Sequence, residues 1–233
     1  MDFTEIKNTI KEFVEKELFS LEPWILNSSW EEKLPKLNEL REKVKKMGLW
    51  LPQIPKEYSG LGLTLEQYGE VSEILGASPY GFYVFNCQAP DAGNMEILME
   101  FGTDEQKEKY LNPLLEGKIR SCFAMTEPDF AGSNPVNMGT IATKKDGNYI
   151  INGHKWFTSG FDGAKFAIVM LITDPNNENP HKKASQIIIP TDSDGLKFIR
   201  NISIMGHPGG GWESHAEIKF ENVKVPLSNV LGG

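Results

Sequence analysis

Two short stretches of the sequence combine residue types able to hold a flat ligand with a polar edge. In the first, Phe123-Ala-Met-Thr-Glu-Pro128 runs into Asp129-Phe-Ala-Gly-Ser133, a turn-rich segment whose backbone amides and hydroxyls can receive a phosphate or the edge of a ring. Taken alone it reads first as an ordinary exit from strand to loop. In the second, Asn152-Gly-His-Lys-Trp-Phe-Thr-Ser-Gly160, Trp156 and Thr158 stand two apart. On a strand that spacing predicts a shared face, an indole wall beside a hydroxyl, although by residue type alone Trp156 is as readily a core residue. A third stretch, His181-Lys-Lys183, is cationic in an acidic chain and reads either as a solvated loop or as an attractor of phosphates. The Gly206-His-Pro-Gly-Gly-Gly211 run reads as a mobile connection rather than a phosphate cradle, because no helix start follows it.

Other chemistries find less support. The histidines, His154, His181, His207 and His215, have no metal-ligand spacing, and Cys87 and Cys122 form neither a disulfide framework nor a zinc pair. Neither GxxxxGK[ST] nor GxGxxG occurs, so a nucleotide would have to bind without those cradles. With 24 Lys and Arg against 32 Asp and Glu, a net charge of -8, the chain would repel a nucleic-acid backbone. No apolar run is long enough for a membrane span, and the start carries no basic-then-apolar leader. The expected compartment is therefore the cytoplasm, or a mitochondrial or peroxisomal matrix.

At 233 residues, with 39% hydrophobic and 24% charged, the chain can bury a sizeable core and is expected to form two domains. The first half has helical periodicity: Phe3, Ile6, Ile10, Phe13, Val14 and Leu18, then Leu37, Leu40, Val44 and Met47 before a stop at Gly48. Pro52, Pro55, Gly60 and Gly62 predict a loop. Thr64 with Gln67 and Thr103 with Gln106 are capping boxes, and Tyr80 to Phe101 reads as one helix buried in a bundle. Beyond Lys118 the pattern turns β-rich, at Cys122–Met125, Thr140–Lys144, Asn148–Asn152, Phe166–Ile172, Gln186–Ile189 and Ala216–Val225, with Asp146-Gly147 as a hairpin turn. The expectation is α+β: an all-α helical bundle over 1–119, then an all-β barrel or sandwich over 120–233.

Taken in order, the Thr-Glu-Pro loop, the Trp-x-Thr strand, Gly102-Thr-Asp-Glu-Gln-Lys and Phe220-Glu-Asn-Val-Lys-Val-Pro226 resemble the acyl-CoA dehydrogenase family across the whole chain. The resemblance implies FAD. It implies that Phe123, Met125 and Thr126 line the isoalloxazine and meet its pyrimidine edge, and that Gly132 and Ser133 sit at the pyrophosphate end beside bound CoA. It further implies that Trp156 and Phe157 flank the flavin and that Thr158 gives a hydrogen bond to N5, the hydride-accepting atom. The extra residue in Asp129-Phe-Ala131, the His181-Lys-Lys183 cluster and the glycine-rich loop look most like the larger subgroup that includes the human family members ten and eleven.

The implied activity is dehydrogenation of acyl-CoA to trans-2-enoyl-CoA, as in fatty acid β-oxidation. Electrons would pass to an electron-transfer flavoprotein, and the complete protein would be a homodimer or homotetramer. CoA phosphates would meet Ser133, His181, Lys182 and Lys183. Family members continue past the point matching Gly233 into a C-terminal helical bundle that carries the catalytic base, so no residue here is assigned as base. Glu127, the nearest carboxylate, belongs to the flavin loop. The expectation is a fragment or a split subunit, inactive alone. The alternatives are an oxygen-using relative, such as an acyl-CoA oxidase or nitroalkane oxidase, and a non-catalytic flavin-binding module.

Overall fold

A computed structural model describes residues 1–232, which divide into two compact units, Met1–Ala92 and the residues from Gly93 onward. The first is helical. Asp2 and Glu5 close a capping box that opens the helix Phe3–Phe13, which continues as a π-helical turn over Val14–Leu18. A second capping box, Ser29 with Glu32, starts the helix Trp30–Lys46 well before its apolar stripe. Gly48, at φ +70°, ends that stretch in the left-handed region. Thr64 and Gln67 cap the helix Leu65–Leu75 as expected. Leu37, Leu40, Val44, Ile54, Val71, Leu75 and Val84 are fully enclosed. Burial pushes the Cys87 thiol up to about 12, so at neutral pH this cysteine is an inert apolar side chain.

The single helix expected over Tyr80 to Phe101 is two, Gly81–Val84 and Asp91–Phe101. Asn86 at φ +58° and Pro90 lie between them, and a proline cannot continue a helix through its own position. Thr103 and Gln106 then cap Asp104–Gln106, which runs on through Lys107–Leu111 and Asn112–Leu115.

The second unit carries seven strands: β1 (Ser121–Ala124), β2 (Ile141–Lys145), β3 (Asn148–Ser159), β4 (Phe166–Ile172), β5 (Ala184–Pro190), β6 (Leu196–Asn201) and β7 (His215–Pro226). The expected barrel or sandwich is one curled, mixed sheet, a half-barrel, in the order β1-β4-β2-β3-β7-β6 with β5 on β4. Asp146 and Gly147, both at positive φ, turn β2 into β3 as the Asp-Gly pair predicts. Strand β6 has no counterpart among the sequence expectations. It is an edge strand exposed along most of its length, so no alternation marks it. The core of this unit holds Ile151, Ala167, Val169, Leu171, Ile187, Ile189, Ala216, Ile218 and Val223.

Candidate functional site

Where β1 ends, the chain becomes the Met125–Pro128 loop, and this loop is strapped to the middle of β3. Thr126 accepts the Trp156 amide at its carbonyl, 3.1 Å, and its hydroxyl donates back to the Trp156 carbonyl at 2.8 Å. Lys155 Nζ donates to the Met125 carbonyl and to Glu127 Oε1, both at 2.7 Å. Glu127 in turn accepts the amides of Gly139, at 2.6 Å, and Thr140, at 2.9 Å. Lys155 is 0% exposed and Glu127 4%. A buried ion pair is tolerated best when its groups have further partners, and here Lys155 also meets a carbonyl and Glu127 two amides. Burial alone would raise the Glu127 carboxyl, but hydrogen bonds from Lys155, Thr140 and Gly139 outweigh it and hold the group below the ordinary carboxylate range. Burial pushes the Lys155 ammonium down, and Glu127 opposes that shift. Glu127 is thus a structural anion committed to three donors, which removes it as a proton acceptor for substrate.

Glycines make this strap possible. A Cβ on Gly153 would lie 2.2 Å from Thr140 Oγ1, and one on Gly132 would lie 3.0 Å from Thr126 Cγ2. The loop therefore folds back on itself closely at Gly132, while Ser133 stays exposed.

Strand β3 departs from regular alternation at the point that matters most. Lys155 pairs with Ile218 and Thr158 with Ala216, so Trp156 and Phe157 together oppose one β7 residue, Glu217. This is a β-bulge, with Phe157 at φ +49°. Ile218 and Ala216 are core residues, which puts Lys155 and Thr158 on the core face. The shared face expected for Trp156 and Thr158 is therefore not found, because the extra residue resets the two-residue period. Thr158 is 0% exposed, and its hydroxyl is buried without a hydrogen-bond partner.

The outer face carries different groups. Phe157, 41% exposed, packs edge-on to Trp156 with ring centroids 5.0 Å apart. Ser159 lies opposite His215, and its hydroxyl is 2.8 Å from His215 Nδ1. Glu217 is held by His154 at 2.8 Å and Arg200 at 2.7 Å. Sequence reasoning missed Ser159, Lys155 and His215. Thr158 and Ser159 are adjacent hydroxyls, only one of which can face outward, and the bulge that decides between them leaves no mark in the residue types.

His181 and Lys182 are exposed in a turn between β4 and β5, with Lys183 partly covered. Strands β1 and β4 are parallel, so this turn and the Met125–Ser133 loop leave the same end of the sheet. The Gly206–Gly211 segment is tied at several points. Ile204 and His207 bridge across a tight turn, the Gly211 amide donates to Asp162 Oδ2 at 2.7 Å, and a Cβ on Gly209 would lie 2.0 Å from the Glu213 carbonyl oxygen.

Residues 2–118 match the acyl-CoA dehydrogenase N-terminal domain and residues 122–223 the acyl-CoA dehydrogenase middle domain. Acyl-CoA dehydrogenase family member 10 of Mus musculus is 42% identical over 236 residues, covering 95% of this chain and 22% of the relative. Family member 11 of Gallus gallus is 40% identical over 241 residues, covering 98% of this chain and 30% of the relative. A solved chain from Mycobacterium abscessus superposes with a TM-score of 0.91 at 35% identity, over 99% of this chain and 60% of that one. A glutaryl-CoA dehydrogenase from Mycobacterium smegmatis, solved in complex with FADH2, gives a TM-score of 0.73 at 25% identity, over 99% of this chain and 55% of that one. The chain thus spans less than a third of the length of these two curated relatives.

Proposed function

The chain belongs to the acyl-CoA dehydrogenase family, and on that footing we propose that it holds FAD against the outer face of β3 and serves the α,β-dehydrogenation of acyl-CoA. The observation that carries the reading is the bulge at Trp156–Phe157. It leaves a large aromatic ring outward at a left-handed backbone position beside the Ser159 hydroxyl, and strain of that kind is kept where it positions a ligand. A ring wall, a hydroxyl and a loop edge together fit a flat group with a polar rim.

Phe157 and Trp156 would wall the ring system. Ser159, rather than Thr158, would offer the hydroxyl at the redox-active nitrogen, since Thr158 faces the core. The carbonyls of Met125 and Thr126 are already taken by Lys155 and Trp156, so the loop would meet a ligand's acceptor edge through its amides, with the Phe123 ring of β1 offering apolar contact beside it. Gly132 and Ser133 would receive the pyrophosphate, and His181, Lys182 and Lys183 the CoA phosphates arriving at the same end of the sheet. Bound FAD supplies the hydride acceptor that no side chain can provide. Removal of the α-proton needs a positioned base, and Glu127 is excluded by its three donors. We therefore propose that this chain alone binds flavin weakly and does not turn over acyl-CoA, and that in the whole-length protein an electron-transfer flavoprotein takes the electrons.

The test is a titration of FAD against the purified chain, followed by flavin fluorescence and the visible bands. Binding that weakens in Phe157→Ala and Ser159→Ala, but not in Thr158→Val, supports the reading. An unaltered flavin spectrum at saturating protein refutes it.

A further inference from the structure

A cavity of about 260 Å³ lies between the helical run that starts at Asp104, which contributes Glu105, Gln106, Lys109 and Tyr110, and the segment after β7, which contributes Ser228 and Asn229. One water needs roughly 10–15 Å³ of such space, so a small molecule has room. The two walls are tied together. Gln106 Nε2 donates to the carbonyls of Ser228, at 2.9 Å, and Val230, at 2.8 Å, and Asn229 Nδ2 donates to the Ile188 carbonyl of β5 at 2.8 Å. Other donors in the lining are left over. Tyr110 is 7% exposed and its ring packs on Phe166, centroids 4.7 Å apart, yet its hydroxyl is buried without a hydrogen-bond partner. Buried hydroxyls are nearly always bonded, because an unpaired one has given up its water for nothing. Lys109 Nζ stands over the face of the same ring, 5.0 Å from its centroid. Among the described residues this ammonium has no carboxylate partner and the Ser228 hydroxyl no hydrogen bond.

We propose that this cavity is a binding site for a small molecule bearing an oxyanion, a carboxylate or phosphate held by Tyr110, Lys109 and Ser228. Three donors that the fold leaves over, one of them charged, line one space, and an oxyanion offers each of them a lone pair while answering the charge. Glu105, exposed and also in the lining, is the opposing charge; it limits the affinity without removing any donor. The proposal is independent of the flavin reading, because none of the lining residues belongs to the Met125–Ser133 loop or to β3. An anion held from both walls would add a further tie beside Gln106, so its binding would stabilise the unit from Gly93 onward by mass action.

The experiment titrates inorganic phosphate, and separately acetate and succinate, into the purified chain while 1H–15N NMR follows the amides of Tyr110, Ser228 and Asn229. Ionic strength is held constant with sodium chloride, so that screening alone moves nothing. At least one anion should shift the three signals saturably, with a midpoint on the order of 1 mM, the affinity that a few modest hydrogen bonds supply. A preference for phosphate or for carboxylate supports the site either way and tells which group the natural ligand carries. Tyr110→Phe keeps the ring on Phe166 and should weaken binding about fivefold, the scale of one neutral hydrogen bond. Lys109→Gln should weaken it about tenfold or more, since a charged donor is roughly twice as strong. Glu105→Gln should tighten it severalfold, a change that a merely structural cavity would not produce. Lys109 and Glu105 are exposed, so these two variants keep the fold even if Tyr110→Phe does not. No saturable shift up to about a hundredfold above the expected midpoint would overturn the proposal. So would shifts that sodium chloride alone reproduces, or midpoints unmoved in Lys109→Gln and Glu105→Gln.

Discussion

Replacing Lys155 by methionine tests the strap that fixes the Met125–Pro128 loop. Methionine matches the stem of lysine but removes the ammonium, leaving the Met125 carbonyl without its donor and the Glu127 carboxylate buried on two amides alone. Breaking one partner out of a buried pair costs about 3–5 kcal/mol, a large part of the ~5–15 kcal/mol that holds a typical domain together. With a urea slope of about 2 kcal/mol per M, the midpoint should fall by about 1.5–2.5 M. Every contact of the pair lies in the unit from Gly93 onward, so only that unit's transition should move. The pH dependence has a definite sign. In the unaltered chain the folded Glu127 value is depressed, so its stabilising contribution is complete above the ordinary glutamate value of 4.5 and is lost as pH falls through the lower folded value. In Lys155→Met the carboxyl can be neutralised on burial, so the deficit against the unaltered chain should be largest at neutral pH and narrow toward pH 4. Urea titrations at pH 7 and pH 4.5, with hydrogen exchange at the Gly139 and Thr140 amides, measure both effects. A loss under about 1 kcal/mol at pH 7 with those amides still protected would show that the loop is held by something else.

Thr158→Val should be neutral or stabilise by up to about 1 kcal/mol, because it deletes a buried hydroxyl that has no partner; a clear loss of stability in thermal or urea unfolding would mean that hydroxyl is satisfied. Gly153→Ala should cost about 1–3 kcal/mol by overpacking against Thr140, and should loosen the Gly139 and Thr140 amides that Glu127 holds, which hydrogen exchange would register. Lys182→Ala with Lys183→Ala should weaken binding of CoA at low ionic strength and have little effect near 1 M salt, where the Debye length falls to about 3 Å. A salt-independent effect in isothermal titration would instead indicate a short-range contact.

What could be read from the residues was whatever is local. The capping boxes Thr64 with Gln67 and Thr103 with Gln106, and the Asp146-Gly147 turn, each specify their geometry within four residues, and each is found. The apolar run Phe166–Ile172 has the same bounds in the structure, because a strand buried on both sides is continuous in its hydrophobicity. What escaped was long-range or irregular. Glu127 meets Lys155 across 28 positions and Ser159 meets His215 across 56, and no spacing rule connects either pair. The bulge moved the outward hydroxyl from Thr158 to Ser159, since facing in a strand is a count and one uncounted residue changes it. The aromatic-hydroxyl pairing was legible as a composition but not as a direction.

That bulge also has a consequence for how this stretch can change over time. A strand in a sheet ordinarily cannot gain or lose one residue, because every side chain beyond the change would swap interior for exterior. Here Trp156 and Phe157 share one partner, so excising Phe157 would leave Lys155 opposite Ile218, Thr158 opposite Ala216 and Ser159 opposite His215. The ladder on both sides would survive with its facing unchanged, and only the outward ring would be gone. Length at this position is therefore decoupled from folding, and a single-codon deletion becomes a way to reshape the outer face of the strand while leaving the scaffold in register.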